Sequence, residues 1–310
     1  MSGLVLLARG LPDSLLTPLR ASGLTLQTLD GAPPPEQAEA ATAYVVFGGS
    51  PASAALIDSL PNLKLIAVHG VGYDGVDVDH ARSRGVVVSN TPDVLTEDVA
   101  DLALALTLNT LRALPLAERH LREGRWAAGE RAPLTRRASA RRYGVLGLGR
   151  IGGAIARRLE PLGGSIAYHS RRPVADAPYA YHDSARSLAE AVDVLIVATP
   201  GGPATDRLVD AEVLAALGPD GVLINIARGG VVDETALIAA LSEDRLFGAG
   251  LDVFAQEPRV PQALLDHPRC VLTPHVGSAT VETRAAMAGL VVENLLAVLS
   301  GAPAITPVSA

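Results

Sequence analysis

The sequence predicts an α/β protein with two domains, each of which has a parallel β-sheet covered by helices on both faces. Its 310 residues are more than one hydrophobic core usually organises, and this length favours two domains. Short apolar runs alternate with helical patterns through most of the chain, which is typical of parallel strands joined by crossover helices. Residues 142–162 have the pattern of a strand, a glycine-rich turn and a helix, and they lie in mid-chain. A first domain is therefore expected to precede this unit.

The composition argues against several classes of protein. A net charge of −7 disfavours a nucleic-acid partner, because phosphates would repel such a chain on average. The single cysteine, Cys270, allows no internal disulfide and favours a reducing compartment. The N-terminus does not resemble a secretory signal, and the apolar stretch 99–108 is too short to span a bilayer and contains Asp101. We expect a cytoplasmic protein without nucleic-acid, membrane or metal binding.

The first part of the chain alternates strand and helix patterns. Strands are predicted at Leu4–Ala8, Ala43–Phe47, Leu63–Val68 and Val86–Ser89, with Pro12–Ala21 and Pro51–Leu60 among the helices between them. A long apolar helix is predicted from Thr96 to about Arg119, because acidic residues at its start suit the helix dipole. The segment 119–142 that follows is polar, irregular and rich in arginine.

The second part repeats the alternation from the glycine-rich unit onward. Strands are predicted at Tyr143–Leu146, Ser165–His169, Val194–Ala198, Val222–Ile226, Ala249–Val253 and Cys270–Thr273. A final helix is predicted from about Val281 to Leu299 and is expected to return to the first domain. The expected ranges are 1–96 with 283–310 for the first domain and 97–282 for the second.

Three glycines of the mid-chain unit follow the G-x-G-x-x-G spacing of a dinucleotide-binding turn. Gly147 would permit the sharp turn, Gly149 would let the backbone approach a pyrophosphate, and Gly152 would let helix and strand pack closely. The pyrophosphate would bind at the helix N-terminus. The spacing alone is a weak signal, since a glycine-rich turn can simply connect two elements.

The end of the second strand of this unit indicates which dinucleotide is bound. It lies about 20 residues past the glycine turn, where a carboxylate would favour NAD by accepting from the ribose 2′-hydroxyl. The sequence has Ser170, Arg171 and Arg172 there, and the next carboxylate is Asp176. A hydroxyl and two guanidinium groups suit a 2′-phosphate, which favours NADP, and a solvated basic loop is the alternative.

Four chemically active side chains follow other strands of the second domain. Arg228, Asp252, Glu257 and His275 each lie at or just after a predicted strand end. Ligands of open α/β sheets bind outside the carboxyl ends of the strands, so these groups can converge on one crevice. A cation, two carboxylates and an imidazole suit the reduction of a carbonyl group.

The chain resembles the D-isomer-specific 2-hydroxyacid dehydrogenase family, because it has motifs of that family in the family's order. The motifs are G-L-G-R-I-G at 147–152, N-I-A-R-G-G-V-V-D-E at 225–234, L-D-V-F-x-x-E-P at 251–258, P-H-V-G-S at 274–278 and the loop 69–77. The resemblance implies a Rossmann-type cofactor domain inserted into a flavodoxin-like substrate (lid) domain. Arg171, Arg172 and the segment P-L-T-R-R make the chain most similar to NADPH-dependent glyoxylate/hydroxypyruvate reductases.

The resemblance also assigns roles to individual residues. His275 would donate a proton to the carbonyl oxygen with Glu257 as its partner, and His69 is the only rival acid. Arg228 would bind the substrate carboxylate and polarise the keto oxygen, and Val71 and Gly72 would hold the carboxylate on backbone N–H groups. The cofactor contacts carried over are Thr96, Gly147, Leu148, Gly149, Arg150, Ile151, Gly152, Ser170, Arg171, Arg172, Thr199, Pro200, Ala227, Arg228, Asp252, His275, Gly277 and Ser278, with Asp252 on the nicotinamide amide.

The function implied is the NADPH-dependent reduction of glyoxylate or hydroxypyruvate to glycolate or D-glycerate by a homodimer. One alternative is a reductase of larger 2-keto acids such as 2-ketogluconate or hydroxyphenylpyruvate. Another is a non-enzymatic, corepressor-like dinucleotide sensor. Pocket size is expected to depend on Phe47-Gly48-Gly49, Gly72-Tyr73, Leu95 and Trp126.

Overall fold

A computed structural model describes residues 3–47 and 49–308, so that Gly48 of the expected pocket loop lies outside the described residues. The chain divides into two compact units, Met1–Leu95 with Ser278–Ala310, and Thr96–Gly277. The sequence placed these boundaries after residue 96 and after residue 282. The second of those positions falls inside the helix Val281–Leu299, and the division precedes this helix because the whole helix packs in the first unit.

Both units alternate strands and helices. The strands among the described residues are β1 (Leu4–Leu7), β2 (Thr25–Thr28), β3 (Ala41–Phe47), β4 (Leu65–His69), β5 (Val87–Ser89), β6 (Tyr143–Leu146), β7 (Ile166–His169), β8 (Ala180–His182), β9 (Val194–Val197), β10 (Val222–Asn225), β11 (Gly248–Leu251) and β12 (Cys270–Leu272). The helices there are α1 (Asp13–Ala21), α2 (Pro35–Ala40), α3 (Ala54–Asp58), α4 (Val78–Ser83), α5 (Thr96–Arg112), α6 (Leu114–Arg122), α7 (Arg150–Leu159), α8 (Ala185–Ala191), α9 (Ala211–Leu217), α10 (Glu234–Ser242), α11 (Gln262–Leu265) and α12 (Val281–Leu299).

The first unit has a parallel sheet in the order β2-β1-β3-β4-β5, which is the flavodoxin-like order. Alternate residues of β3 and β4 pack into separate cores on the two faces of this sheet, with α12 in one of those cores. Strands buried on both faces read as continuous apolar runs, which is why β3 and β4 could be predicted. Strand β2 was not predicted because it is a mostly exposed edge strand with the polar sequence TLQT.

The second unit has a parallel sheet in the order β12-β11-β10-β9-β6-β7-β8. The glycine-rich unit forms β6 and α7 near its middle, and the order on either side of β6 is that of a Rossmann-type sheet. The predicted fold class is therefore confirmed. Strand β8 was not predicted, since it is a short and largely exposed edge strand.

The predicted helix from Thr96 to Arg119 is interrupted. Helix α5 ends at Arg112, Ala113 has a positive φ of 47°, and α6 begins at Leu114 with a proline in its first turn. Pro115 cannot donate a helical hydrogen bond, and its ring would clash with the carbonyl group of Leu111 in a continuous helix. The prediction was wrong at this point because the apolar pattern continues through the break.

Within the described residues no single helix has the length and apolar character needed to cross a membrane, although α5 and α6, bent by 61°, meet that test as a pair on length and composition alone.

Helix α7 packs closely on β6 because one of its glycines faces the strand. A Cβ atom on Gly152 would lie 1.9 Å from the carbonyl oxygen of Gly147 and 3.1 Å from a methyl group of Val145. The next residue, Gly153, is different, since its nearest neighbour would be an Arg157 side-chain atom at 3.7 Å. Two adjacent glycines of one helix therefore have opposite steric surroundings.

We expect Gly152→Ala to lower the free energy of unfolding by about 1–3 kcal/mol or more, because the helix must move away from the strand. Gly153→Ala is the matched control, and it is expected to be neutral or to stabilise the protein by up to about 1 kcal/mol through helix propensity. Urea-induced unfolding followed by circular dichroism measures both. Equal effects of the two substitutions would contradict this packing.

Candidate active site

The glycine turn of the second unit leaves an open approach to the start of α7. Gly147 has a φ of 101°, and a Cβ atom there would lie 2.9 Å from the backbone of Thr199. A Cβ on Gly149 would meet nothing within 4 Å, and Gly149 caps α7 without a side-chain hydrogen bond. The side of Gly149 on which a side chain would stand is therefore open at the start of the helix, and a helix N-terminus suits a pyrophosphate. Leu148, Arg150 and Ile151 belong to the same turn.

The expected 2′-phosphate site lies at the end of β7. The Oγ atom of Ser170 accepts a hydrogen bond of 3.0 Å from the N–H of Leu148, which ties this strand end to the glycine turn. Arg171 and Arg172 are exposed, and no ion pair of either is found among the described residues. Guanidinium groups form charge-assisted hydrogen bonds with a phosphate, and residues 170–172 offer no carboxylate that could accept from a ribose 2′-hydroxyl. The local residues therefore fit NADP.

Several other predicted cofactor residues follow the strands of the same sheet. Thr199 and Pro200 come after β9, and the backbone of Thr199 lies against Gly147. Ala227 follows β10, and its N–H donates to the side chain of Asn225 at 3.0 Å. Thr96 begins α5 in this unit, whereas Ser278 belongs to the first unit. The carboxyl edge of the second sheet thus carries most of the predicted contacts, and their binding of cofactor stays a prediction.

His275 and Glu257 form the predicted pair. The Nδ1 atom of His275 lies 2.7 Å from Oε2 of Glu257, and both side chains are about one-third exposed, at 37% and 35%. The backbone of His275 has a positive φ of 53°, which is uncommon for a residue with a side chain. Its N–H donates to the carbonyl oxygen of Asp252 at 2.9 Å. With Nδ1 on the carboxylate, Nε2 is the ring nitrogen that can meet a substrate.

The carboxyl group of Glu257 is held in its ionised form. Burial by itself would raise the pKa of Glu257, but the hydrogen bond with His275 and one of 3.0 Å from the N–H of Phe254 lower it. The positive charges of His275 and Arg228 lower the pKa further, and the result is a pKa below the ordinary value for glutamate. The carboxylate therefore carries a negative charge beside the imidazole at neutral pH.

Arg228 is brought towards this pair by a close contact between two loops. A Cβ on the neighbouring Gly229 would lie 1.9 Å from the backbone of Phe254, so the loop after β10 fits directly against the loop that carries Glu257. Asn225 is 1% exposed, and its side chain donates to the Arg228 carbonyl oxygen at 3.0 Å. Asn225 was not predicted as a site residue from the sequence, although its place before the motif arginine could have suggested a role in shaping the turn.

The carboxylate of Asp252 holds the loop that carries His275 by hydrogen bonds. Its carboxylate is 1% exposed and accepts hydrogen bonds from Thr273 Oγ1 at 2.6 Å and from the N–H groups of Val276 and Gly277 at 2.9 Å. Burial raises the pKa of Asp252 against the lowering effect of these three hydrogen bonds. Asp252 therefore fixes residues 273–277, and its binding of the nicotinamide amide stays a prediction.

The predicted substrate loop belongs to the first unit. Val71 and Gly72 follow β4, and the Nδ2 atom of Asn90 donates to the carbonyl oxygen of Val71 at 2.9 Å. Asn90 in turn is bound by Thr306, whose Oγ1 donates to the Asn90 carbonyl oxygen at 2.6 Å. Neither Asn90 nor Thr306 was selected from the sequence, because only the fold brings the C-terminal segment beside this loop.

His69, the rival acid, lies at the end of β4 and is fully buried. Neither of its ring nitrogens has a hydrogen-bond partner among the described residues. Burial and the nearby charge of Arg284 lower the pKa of His69 to about 4. His69 is therefore neutral at neutral pH and has no imidazolium proton to deliver, whereas His275 has a carboxylate partner.

Comparisons with known proteins identify relatives of this chain. The family model described as "D-isomer specific 2-hydroxyacid dehydrogenase, NAD binding domain" matches residues 104–277. Hydroxyphenylpyruvate reductase of Plectranthus scutellarioides is 49% identical over 272 residues, which are 88% of this chain and 87% of that protein. Glyoxylate/hydroxypyruvate reductase A of Arabidopsis thaliana is 51% identical over 257 residues, which are 83% of this chain and 82% of that protein.

A solved structure is similar over the whole chain. It is the NADPH-dependent glyoxylate/hydroxypyruvate reductase of Sinorhizobium meliloti in complex with NADP and malonate, and its TM-score to this chain is 0.95. The two sequences are 48% identical, and the alignment covers 100% of this chain and 97% of the other. Together, the matched domain, the close relatives and the arrangement of Arg228, Glu257 and His275 lead to one conclusion: the chain belongs to the D-isomer specific 2-hydroxyacid dehydrogenase family.

Proposed function

We propose that this protein reduces small 2-keto acids, glyoxylate and hydroxypyruvate, to glycolate and D-glycerate with NADPH. The observation that carries the proposal is the His275–Glu257 pair at 2.7 Å, in the same unit as Arg228 and a glycine turn suited to a dinucleotide. The similar reductases of Arabidopsis thaliana and Sinorhizobium meliloti support the substrate class, and the second of them supports the cofactor.

The side chains of the second unit match what carbonyl reduction requires. When bound, NADPH supplies the hydride that adds to the keto carbon. His275 donates a proton from Nε2 to the keto oxygen, so that one hydride and one proton convert the carbonyl to a hydroxyl group. Glu257 stabilises the protonated imidazole, and Arg228 binds the substrate carboxylate and polarises the keto oxygen. In the first unit, the family resemblance assigns carboxylate binding to the N–H groups of Val71 and Gly72, and Asn90 fixes the Val71 peptide.

A reductase of larger 2-keto acids is the second candidate. The similarity to hydroxyphenylpyruvate reductase, at 49% identity, favours it. A dinucleotide sensor without catalysis is not supported, because the similar proteins are reductases. The absorbance of NADPH should therefore fall when a 2-keto acid is added, and a comparison of glyoxylate, hydroxypyruvate and larger 2-keto acids separates the two remaining candidates.

The cofactor preference can be tested at the end of β7. We expect replacement of both Arg171 and Arg172 by alanine to raise the KM for NADPH by about 10- to 150-fold, the effect of losing one charge-assisted hydrogen bond. The KM for NADH should change far less, because NADH has no 2′-phosphate. Arg245→Ala, an exposed arginine paired with Glu243, is the control. Equal changes for both cofactors would contradict the assignment.

The acid can be tested through pH. The rate of reduction should fall as pH rises, because reduction consumes a proton, while oxidation of the hydroxy acid releases one and should improve over the same range. Because the pKa of Glu257 is lowered, its carboxylate is charged throughout and stabilises the imidazolium. Glu257→Gln removes this charge, so the falling limb for reduction should move to lower pH. Glu243→Gln, on the surface, is the control and should leave the profile in place.

His275→Ala completes this test. The variant should lose about 10²- to 10⁴-fold in kcat, the usual contribution of a general acid, and should still bind NADPH in a fluorescence titration. Turnover close to that of the unmodified protein would show that another group is the acid.

We further propose that the protein is a homodimer. Apolar side chains are exposed along and after α6, with exposed fractions of 47% for Leu114, 56% for Leu121, 69% for Trp126 and 102% for Leu134. Large apolar side chains exposed along one stretch of chain favour a protein partner, and a second copy is the partner that the family suggests. Light scattering after size exclusion should give twice the mass of one chain. Leu121→Asp with Leu134→Asp should shift the protein towards the monomer, whereas Val281→Asp, at an 84% exposed site, should not.

A further inference from the structure

Three side chains of the first unit form a cluster that the proposed reaction does not use. Phe47 and His69 are the last residues of β3 and β4, and they are partners in the register of these strands. Their ring centroids lie 5.9 Å apart. Arg284, in the first turn of α12, has its guanidinium carbon 5.7 Å from the centroid of the Phe47 ring. We call these residues the Arg284 cluster.

The Arg284 cluster contains buried polar atoms without partners. The Nη1 atom of Arg284 and both ring nitrogens of His69 are buried, and no hydrogen bond satisfies them within the part of the chain that the structure describes. Buried polar groups in native proteins are nearly always hydrogen-bonded, and a buried charge without a partner is costly. Three such atoms in one place therefore need a physical reason.

The hydrogen-bonding character of the cluster is defined. The guanidinium group of Arg284 can only donate. His69 is neutral at neutral pH, since its pKa is lowered to about 4, and a neutral imidazole offers one donor and one acceptor. A hydroxyl group complements this set, because its oxygen accepts from Arg284 while its hydrogen is donated to the free nitrogen of His69. The ring of Phe47 adds an apolar wall.

The position of the cluster points to a ligand rather than to the core. In open parallel sheets, ligands bind outside the carboxyl ends of the strands, beside the point where the strand order reverses. In this sheet the reversal lies between β1 and β3, and Phe47 ends β3. His69 directly precedes Gly70, Val71 and Gly72, the loop proposed to bind the substrate carboxylate. The unpaired donors therefore lie next to the expected substrate.

We propose that Arg284 and His69 bind the hydroxyl group on C3 of the keto acid and so select hydroxylated substrates. This inference rests on the proposed function. Hydroxypyruvate carries the C3 hydroxyl, pyruvate has hydrogen in its place, and glyoxylate has no C3 at all. A site built to hydrogen-bond a substrate hydroxyl discriminates strongly against the analogue that lacks it, because its own polar groups are then left unpaired. Arg284 and His69 thus determine specificity and take no part in proton transfer.

The test compares hydroxypyruvate with pyruvate, which differ by this one hydroxyl group. The unmodified protein should prefer hydroxypyruvate in kcat/KM. Arg284→Met keeps the length of the side chain but removes its donors, and the ratio of the two kcat/KM values should fall by about 10- to 150-fold. Arg82→Met, on the exposed surface of α4 in the same unit, is the matched control and should keep the ratio within about twofold.

Further measurements keep the test decisive. If Arg284→Met does not fold by circular dichroism, Arg284→Lys is used, which keeps the charge but not the planar fork, and the ratio should still fall at least about threefold. Inhibition by D-glycerate and D-lactate gives the same comparison without turnover, and Arg284→Met should weaken inhibition by D-glycerate more. An unchanged ratio in a folded variant that still reduces keto acids would overturn the subsite alone. Absence of NADPH oxidation by the unmodified protein with every keto acid would overturn the proposed function and the subsite with it.

Discussion

The parallel alignment of the strands is the constraint on which the rest of this structure depends. Helices cover both faces of each sheet, so the central strands are mostly apolar, as in the fully buried β9. Reactive polar groups can then lie only where the strands end. Because all strands of a parallel sheet end at the same edge, Arg228 after β10, Asp252 after β11 and His275 after β12 are gathered from positions far apart in the chain.

Two carboxylates at this edge have different surroundings and therefore different tasks. Asp252 is buried and bound by three donors of the 273–277 loop, which makes it a support for the backbone of His275. Glu257 is partly exposed and uses one oxygen on the backbone of Phe254 and the other on the imidazole. The first carboxylate positions the loop and the second sets the charge beside the ring. Because the two tasks fall to different carboxylates, the short stretch 252–257 can both hold the loop of His275 in place and set a negative charge beside its ring.

In the first unit, too, the polar groups lie where the strands end, but they are different groups. The loop after β4 is shaped through backbone atoms, since Asn90 and Thr306 tie the Val71 peptide to the C-terminal segment. The strand ends beside this loop carry Phe47 and His69, with Arg284 reaching them from α12. The loop proposed to bind the carboxylate thus directly follows the strand that carries His69, one of the side chains proposed to bind the C3 hydroxyl group of the substrate.

Local pattern was enough to determine a large part of this protein from its sequence. Long apolar runs gave the buried strands, because a strand covered on both faces has no polar positions to confuse it with a loop. The glycine spacing gave the turn before α7, since only glycine permits the φ of 101° at Gly147 and the contact of Gly152 with the strand. Glu257 and His275 were found through their motifs, and the structure places them 2.7 Å apart.

Tertiary structure alone decided the features that depend on distant neighbours. The edge strands β2 and β8 are too polar or too short to be recognised, and they exist because a paired strand lies beside them. The break at Ala113 is hidden within a continuous apolar pattern. Asn90, Asn225 and Arg284 have no local signal, because their importance comes from the Val71 carbonyl, the Arg228 turn and the Phe47 ring that folding brings to them. A sequence records periodicity and turn chemistry directly, whereas hydrogen bonds between remote segments arise only once the chain has folded.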